Sequence, residues 1–144
     1  MKLKLLYLLT LITVLASSCF SNKNAAPVPI PSGTFTGQFR RVHRSIKTGV
    51  HDTASANIQL VLNTTTGFQI TGDTLSVHAG SYGGYAISAS FIEFNDVTYP
   101  KSGTPTKTHL NGTYGYIYDG LIFQMVANSA LDTISLQYDL KKIN

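Results

Sequence analysis

The sequence predicts an all-β protein, an antiparallel up-and-down β-barrel of about eight short strands, and three observations predict it. From Ser32 onward apolar residues recur with period two, and no window of helical length carries an i, i+3, i+4, i+7 stripe. The alternating runs are separated by Gly, Asn, Asp and Ser, which punctuate tight turns and leave no length for a crossover helix. Within NGTYGYIYDGLIFQMV, residues 111–126, Asp119-Gly120 has the chemistry of a two-residue hairpin turn, because a type I′ turn needs positive φ at both central positions. A β-sandwich is the alternative, since strand count and alternation are common to both.

The strands follow in order. Thr34 to Arg44 places Phe35, Gly37, Phe39, Arg41 and His43 on one face, a strand that begins apolar and ends basic. After a turn region around Gly49, Ala54 to Asn63 points Ile58, Leu60 and Leu62 one way. A polar connection through Gly67 leads to Phe68 and Ile70, Gly72-Asp73 turns the chain, and Leu75 with Val77 reads as a short fourth strand. In SYGGYAISASFIEFNDV, Tyr85, Ile87, Ala89 and Phe91 alternate, and Ile92 and Phe94 then take the opposite parity, as a β-bulge or sharp bend near Phe91 would produce. Tyr99 to His109 is the longest unpatterned stretch, a loop or lid. A two-residue turn at Asp119-Gly120 sets Tyr118 opposite Leu121, Tyr116 opposite Phe123 and Tyr114 opposite Met125, a large aromatic face that must pack or line a cavity. The closing strand, DTISLQYDLKK, turns Ile134, Leu136, Tyr138 and Leu140 to one side.

The first residues of the chain carry an address. Lys2 and Lys4, an apolar run from Leu5 to Leu15 and small residues before Cys19 make residues 1–18 a secretory signal peptide. Its ending resembles the lipobox of bacterial lipoproteins, which implies that Cys19 is acylated and becomes the mature N-terminus. Residues 19–32 then form a tether in which Pro27, Pro29 and Pro31 favour extended polyproline II, reaching about 30–40 Å from the bilayer. Residues 33–144 are the barrel domain. The expected location is the bacterial cell envelope, facing the periplasm, since no acidic run follows Cys19. With a single cysteine, neither an internal disulfide nor a Cys-based zinc site is possible. Once Lys2 and Lys4 leave with the signal, a net charge of about +2 argues against nucleic acid as a partner.

Three stretches carry a family likeness. GTFTGQF, HLNGTYGYIYDG and LQYDLKK resemble the opening strand, late hairpin and closing strand of small lipocalin-like lipoproteins of Bacteroidetes-type bacteria, with Phe35 or Phe39 standing where the lipocalin opening motif has tryptophan. The resemblance implies a cup-shaped barrel able to hold an apolar ligand, and it assigns no ligand-binding residue by position.

Candidate binding residues come from the pattern. Arg41 and His43 share the face of Phe35 and Phe39. At a barrel mouth they would meet a carboxylate or phosphate head group whose apolar tail lies among Tyr114, Tyr116, Phe123 and Met125. A solvated strand end that blunts a sheet edge is the plainer account of the same two residues. The tyrosines, likewise, are either an aromatic cup for a sugar or lipid or simply strand formers. His43, His51, His78 and His109 show no metal-ligand spacing and read as surface residues. Glu93 and Asp96 flank a turn without a second carboxylate to work with, and no nucleophile motif or phosphate loop occurs. The expectation is a monomeric, cofactor-free, non-enzymatic binding module for a small apolar or amphipathic ligand. Its rival is an envelope structural or interaction domain whose barrel is filled with side chains.

Overall fold

Among the described residues, alternation of small or polar residues with large apolar ones yields eight strands: β1 (Gly33–Arg44), β2 (His51–Asn63), β3 (Gly67–Gly72), β4 (Tyr82–Ile87), β5 (Phe91–Asp96), β6 (Gly112–Tyr118), β7 (Ile122–Asn128) and β8 (Ile134–Lys142). The computed structural model describes residues 29–129 and 133–143; the expected signal peptide, Cys19 and the tether as far as Val28 lie outside them. Each strand pairs antiparallel with the next, and β8 returns to β1 from Phe35↔Lys142 to His43↔Ile134. That pairing closes the sheet, so the architecture is the up-and-down barrel and not the sandwich. Residues 45–50, 73–81 and 97–111 connect strands at one end, here the upper end. The short turns at 64–66, 88–90 and 119–121, with the entering N-terminal residues, occupy the lower end.

Inward positions fill the barrel. Leu60 is buried, and so are Phe35, Phe39, Phe68, Phe94, Tyr114, Phe123 and Tyr138, whose rings meet largely edge-on, as Phe68 with Phe94 (ring centroids 4.9 Å apart) and Tyr114 with Tyr138 (5.6 Å). Edge-to-face geometry aligns the positive rim of one ring with the negative face of another. An eight-stranded barrel is narrow enough for side chains of this size to occupy its interior.

Three local expectations give way. The β6–β7 hairpin pairs Tyr118 with Phe123 and Tyr116 with Met125, two positions from the predicted register. The Asp119 carboxylate explains the shift. It accepts hydrogen bonds from the backbone N–H groups of Leu121 (2.8 Å) and Ile122 (2.7 Å), so Asp119 opens the turn and the chain reverses at Gly120-Leu121. A slip of two keeps every side chain on its face, and the aromatic face survives. The parity change before Ile92 is a hairpin, not a bulge. Residues 88–90 turn the chain, Tyr85 pairs with Phe94 and Ile87 with Ile92, and Phe91 lies outside. Leu75 and Val77 form no strand. Leu75 is 87% exposed in a turn, and only a parallel bridge between His78 and Thr108 follows. Two apolar residues flanked by Asp73, Thr74 and Ser76 are too few to define a buried face.

Candidate functional site

The residues chosen from the pattern fall into two places. Tyr114, Phe123 and Met125 lie in the packed interior, with Tyr116 half-buried beside them, its hydroxyl donating to the Ser88 carbonyl at 3.0 Å. Arg41 and His43 stand at the upper end in a depression of about 310 Å³ shared with Asp52, Ala54 and Ile134. None of the four apolar candidates lines that depression. The structure thus brings the proposed tail residues together and does not join them to the proposed head-group residues.

A groove of about 530 Å³ lies on the outer face of the sheet, and two of the apolar candidates, Tyr116 and Met125, are among the residues that line it. Register builds it: Phe91 is opposite Gly115, Gly115 opposite Val126, Val126 opposite Gln137 and Gln137 opposite Arg40. Gly115 sends no side chain outward, so Phe91 and Val126 stand as walls over a bare backbone floor, with Ile117 one step below. Phe91 is 56% and Ile117 72% exposed, although each alternates with buried residues along its strand. At the far end Arg40 pairs with Asp139, whose other oxygen accepts from Gln124 at 2.8 Å, and the buried Arg40 Nε has no hydrogen-bond partner among the described residues. The groove therefore combines apolar walls with a polar, partly uncommitted end.

The upper end carries two buried polar assemblies that the sequence reading missed. His78 is fully buried, against the expectation of a surface residue. Its Nδ1 is 2.6 Å from the Ala79 carbonyl oxygen, which can only accept, so Nδ1 carries the proton and Nε2 accepts from the Tyr138 hydroxyl at 2.8 Å. Burial pushes the imidazole pKa down to about 4, with the Ala79 carbonyl opposing. Burial also pushes the Tyr114 phenol up to about 12 and holds the Tyr138 phenol well above its ordinary value. Nearby, Asp96 is buried and accepts from His109 Nδ1 (2.7 Å), from the Thr98 backbone N–H (2.8 Å) and from the Thr98 hydroxyl (2.6 Å). Burial raises its carboxyl pKa, but the hydrogen bonds from Thr98 and His109 outweigh that and hold it below the ordinary value. His109 is accordingly not a free surface residue either.

An Asp–His pair invites a catalytic reading, which the geometry does not complete. Among the described residues no hydroxyl or thiol is hydrogen-bonded to His109 Nε2, where a nucleophile would stand, and the Tyr99 ring packs 5.4 Å from the imidazole. The pair ties the 97–111 loop to the end of β5. Lys107 adds a bond from Nζ to the Thr74 carbonyl at 2.9 Å, joining the two upper loops. Among the described residues no group of three or more His, Cys, Asp or Glu is placed to hold a metal ion. A signal for Asp96–His109 existed in the sequence only as two polar residues at opposite ends of the longest loop.

No family model, curated protein or solved structure matches this chain.

Proposed function

We propose that this protein is an exported β-barrel, anchored in the bacterial envelope through an acylated Cys19, that serves as a non-enzymatic binding module with its ligand site on the outer face. The observation that carries this reading is the contrast between an interior occupied by interlocked rings and an outer groove of about 530 Å³ with apolar walls. The ligand is small and amphipathic: an apolar body between Phe91, Ile117 and Val126, and a polar end reaching Gln137 and the Arg40–Asp139 pair. Apolar pockets with a few polar groups at one end orient such molecules.

Native mass spectrometry of the full chain, extracted in detergent and offered a bacterial lipid extract, tests it. Gly115→Leu is designed to fill the floor of the groove, and a Cβ there meets only the Val126 carbonyl oxygen, at 3.9 Å, so the backbone leaves room for the substitution. A stoichiometric adduct removed by Gly115→Leu and by Phe91→Ala supports the site; an adduct that survives both places the ligand elsewhere. Palmitate labelling of the wild type, lost in Cys19→Ala, tests the anchor. The filled interior also favours a second reading, an envelope interaction domain without a small ligand, and a bare protein in the first experiment would favour it.

A further inference from the structure

A different part of the barrel holds a binding feature that does not depend on the groove. β3 and β4 share the shortest ladder in the sheet, Phe68↔Gly83 and Gln69↔Tyr82. Below Gly83, β4 continues to Ile87 while the chain on the other side leaves through the 64–66 turn. Hydrogen-bond direction follows from the neighbours. Val97 N–H donates to the Tyr82 carbonyl and Ser88 N–H to the Phe91 carbonyl, so even-numbered residues of β4 bond to β5. Ile70 N–H donates to the Ser81 carbonyl, so odd-numbered residues face β3. The backbone groups of Tyr85 and Ile87 therefore point away from β5, where β3 has ended. Among the described residues no strand pairs with them on that side.

A pocket of about 450 Å³ occupies the wedge, lined by Ile30, the Thr64–Thr66 turn, Gly84, Tyr85 and Ile87. Its apex is built from glycines. A Cβ on Gly67, which has φ +87°, would fall 2.0 Å from the Gly83 oxygen, so the two strands meet closely at this point and then part. Among the described residues no charged one lines the wedge, and the inner end of the Tyr85 ring carries a buried hydroxyl without a partner.

We infer that this wedge accepts an extended segment of a partner polypeptide, which adds to β4 through the N–H and C=O groups of Tyr85 and Ile87 and sets an uncharged side chain between Ile30 and Ile87. Strand addition draws affinity from main-chain bonds and selectivity from the pocket that takes alternate side chains. The Thr64–Thr66 turn lines the wedge on the side facing this edge, and that selects the occupant. A second barrel brings its own sheet against Thr64–Thr66, whereas a single extended chain is narrow enough to enter.

Hydrogen exchange of the full chain, with a fluorescent heptapeptide of alternating valine and threonine as probe, tests the inference. Main-chain addition is independent of most side chains, so the probe suffices. The expected result is a rise in anisotropy at millimolar protein or below, with amide exchange at Tyr85 and Ile87 slowed about tenfold and Ala86 unchanged. Ile87→Pro removes a donor that faces the wedge without touching the β5 ladder, and should abolish the protection. Thr65→Trp, at an exposed turn position, covers the wedge and gives a second route to the same loss. No anisotropy change overturns the inference. So does protection of Tyr85 and Ile87 before peptide is added, which would assign the edge to the chain's own N-terminal segment, and so does protection that grows with protein concentration alongside a dimeric mass, which would assign it to a second copy.

Discussion

The upper end of the barrel is closed by buried polar groups that satisfy one another across loops distant in sequence, while the lower end is closed by short turns and leaves part of β4 without a paired strand among the described residues. His78 reaches Tyr138 across 60 residues and Asp96 reaches His109 across 13, whereas at the lower end side chains cap their own turns, Asn63 capping Thr65 and Thr66 and Asp119 capping Leu121 and Ile122, with the Tyr116 hydroxyl on the Ser88 carbonyl as a bond between elements. Local capping suffices to reverse a chain but contributes nothing to neighbouring strands. Long-range polar contacts join elements, and they make the upper end dependent on protonation. Rigidity and sensitivity to pH thus reside at one end, open hydrogen-bonding capacity at the other.

The largest expected difference between the ends is in packing. Phe39 lies beneath the cap against His78 and Tyr138, and Phe39→Ala should cost about 3–5 kcal/mol in chemical denaturation. Ile87→Ala at the half-buried seam should cost clearly less; equal losses would break the comparison. The next effect is on pH dependence. Because the folded pKa of His78 is about 4 against an ordinary 6.5, the unfolded chain binds a proton between these values that the folded chain does not. Stability should fall as pH drops from about 6.5 to about 4, by about 3 kcal/mol, and His78→Gln should flatten that part of the profile. Asp96 adds a loss further down, as pH falls through its lowered pKa.

Asp96→Asn should destabilise by about 1.5–3 kcal/mol, and faster amide exchange should be confined to residues 97–111. Exchange spreading to the lower turns would show that the two ends are not independent. The smallest expected change is at the outer groove, where Phe91→Ala should alter stability by no more than about 0.5 kcal/mol, because the side chain is largely in solvent. A larger loss would mean that the groove serves the fold and not a ligand.

Much of the inner face was legible in the sequence. Phe35, Phe39, Ile58, Leu60, Leu62, Tyr114, Phe123, Met125, Tyr138 and Leu140 all point inward as their alternation predicts, because a period-two pattern on a half-buried sheet leaves each residue only two sides to choose between. The hairpin register was misread by two positions since Asp-Gly suits two adjacent turn frames, and the Asp119 side-chain bonds choose between them. Phe91 was read in one alternating run with Tyr85 and Ile87 because SAS between two apolar runs scans as alternation as readily as it turns. His78 and Asp96 were missed for a different reason. A polar residue is exposed by default, and what permits its burial is a partner elsewhere in the chain.

Taken alone, the sequence determined an antiparallel all-β chain and which residues make its core, because those properties depend on local alternation and turn chemistry. Tertiary structure decided that β8 closes on β1, that the core residues fill the barrel, that Gly115 opens a groove on its outside, and that β3 pairs with only the upper part of β4. Each of these depends on which residues from separate strands come to lie side by side, and register across a closed sheet is a property of the whole barrel.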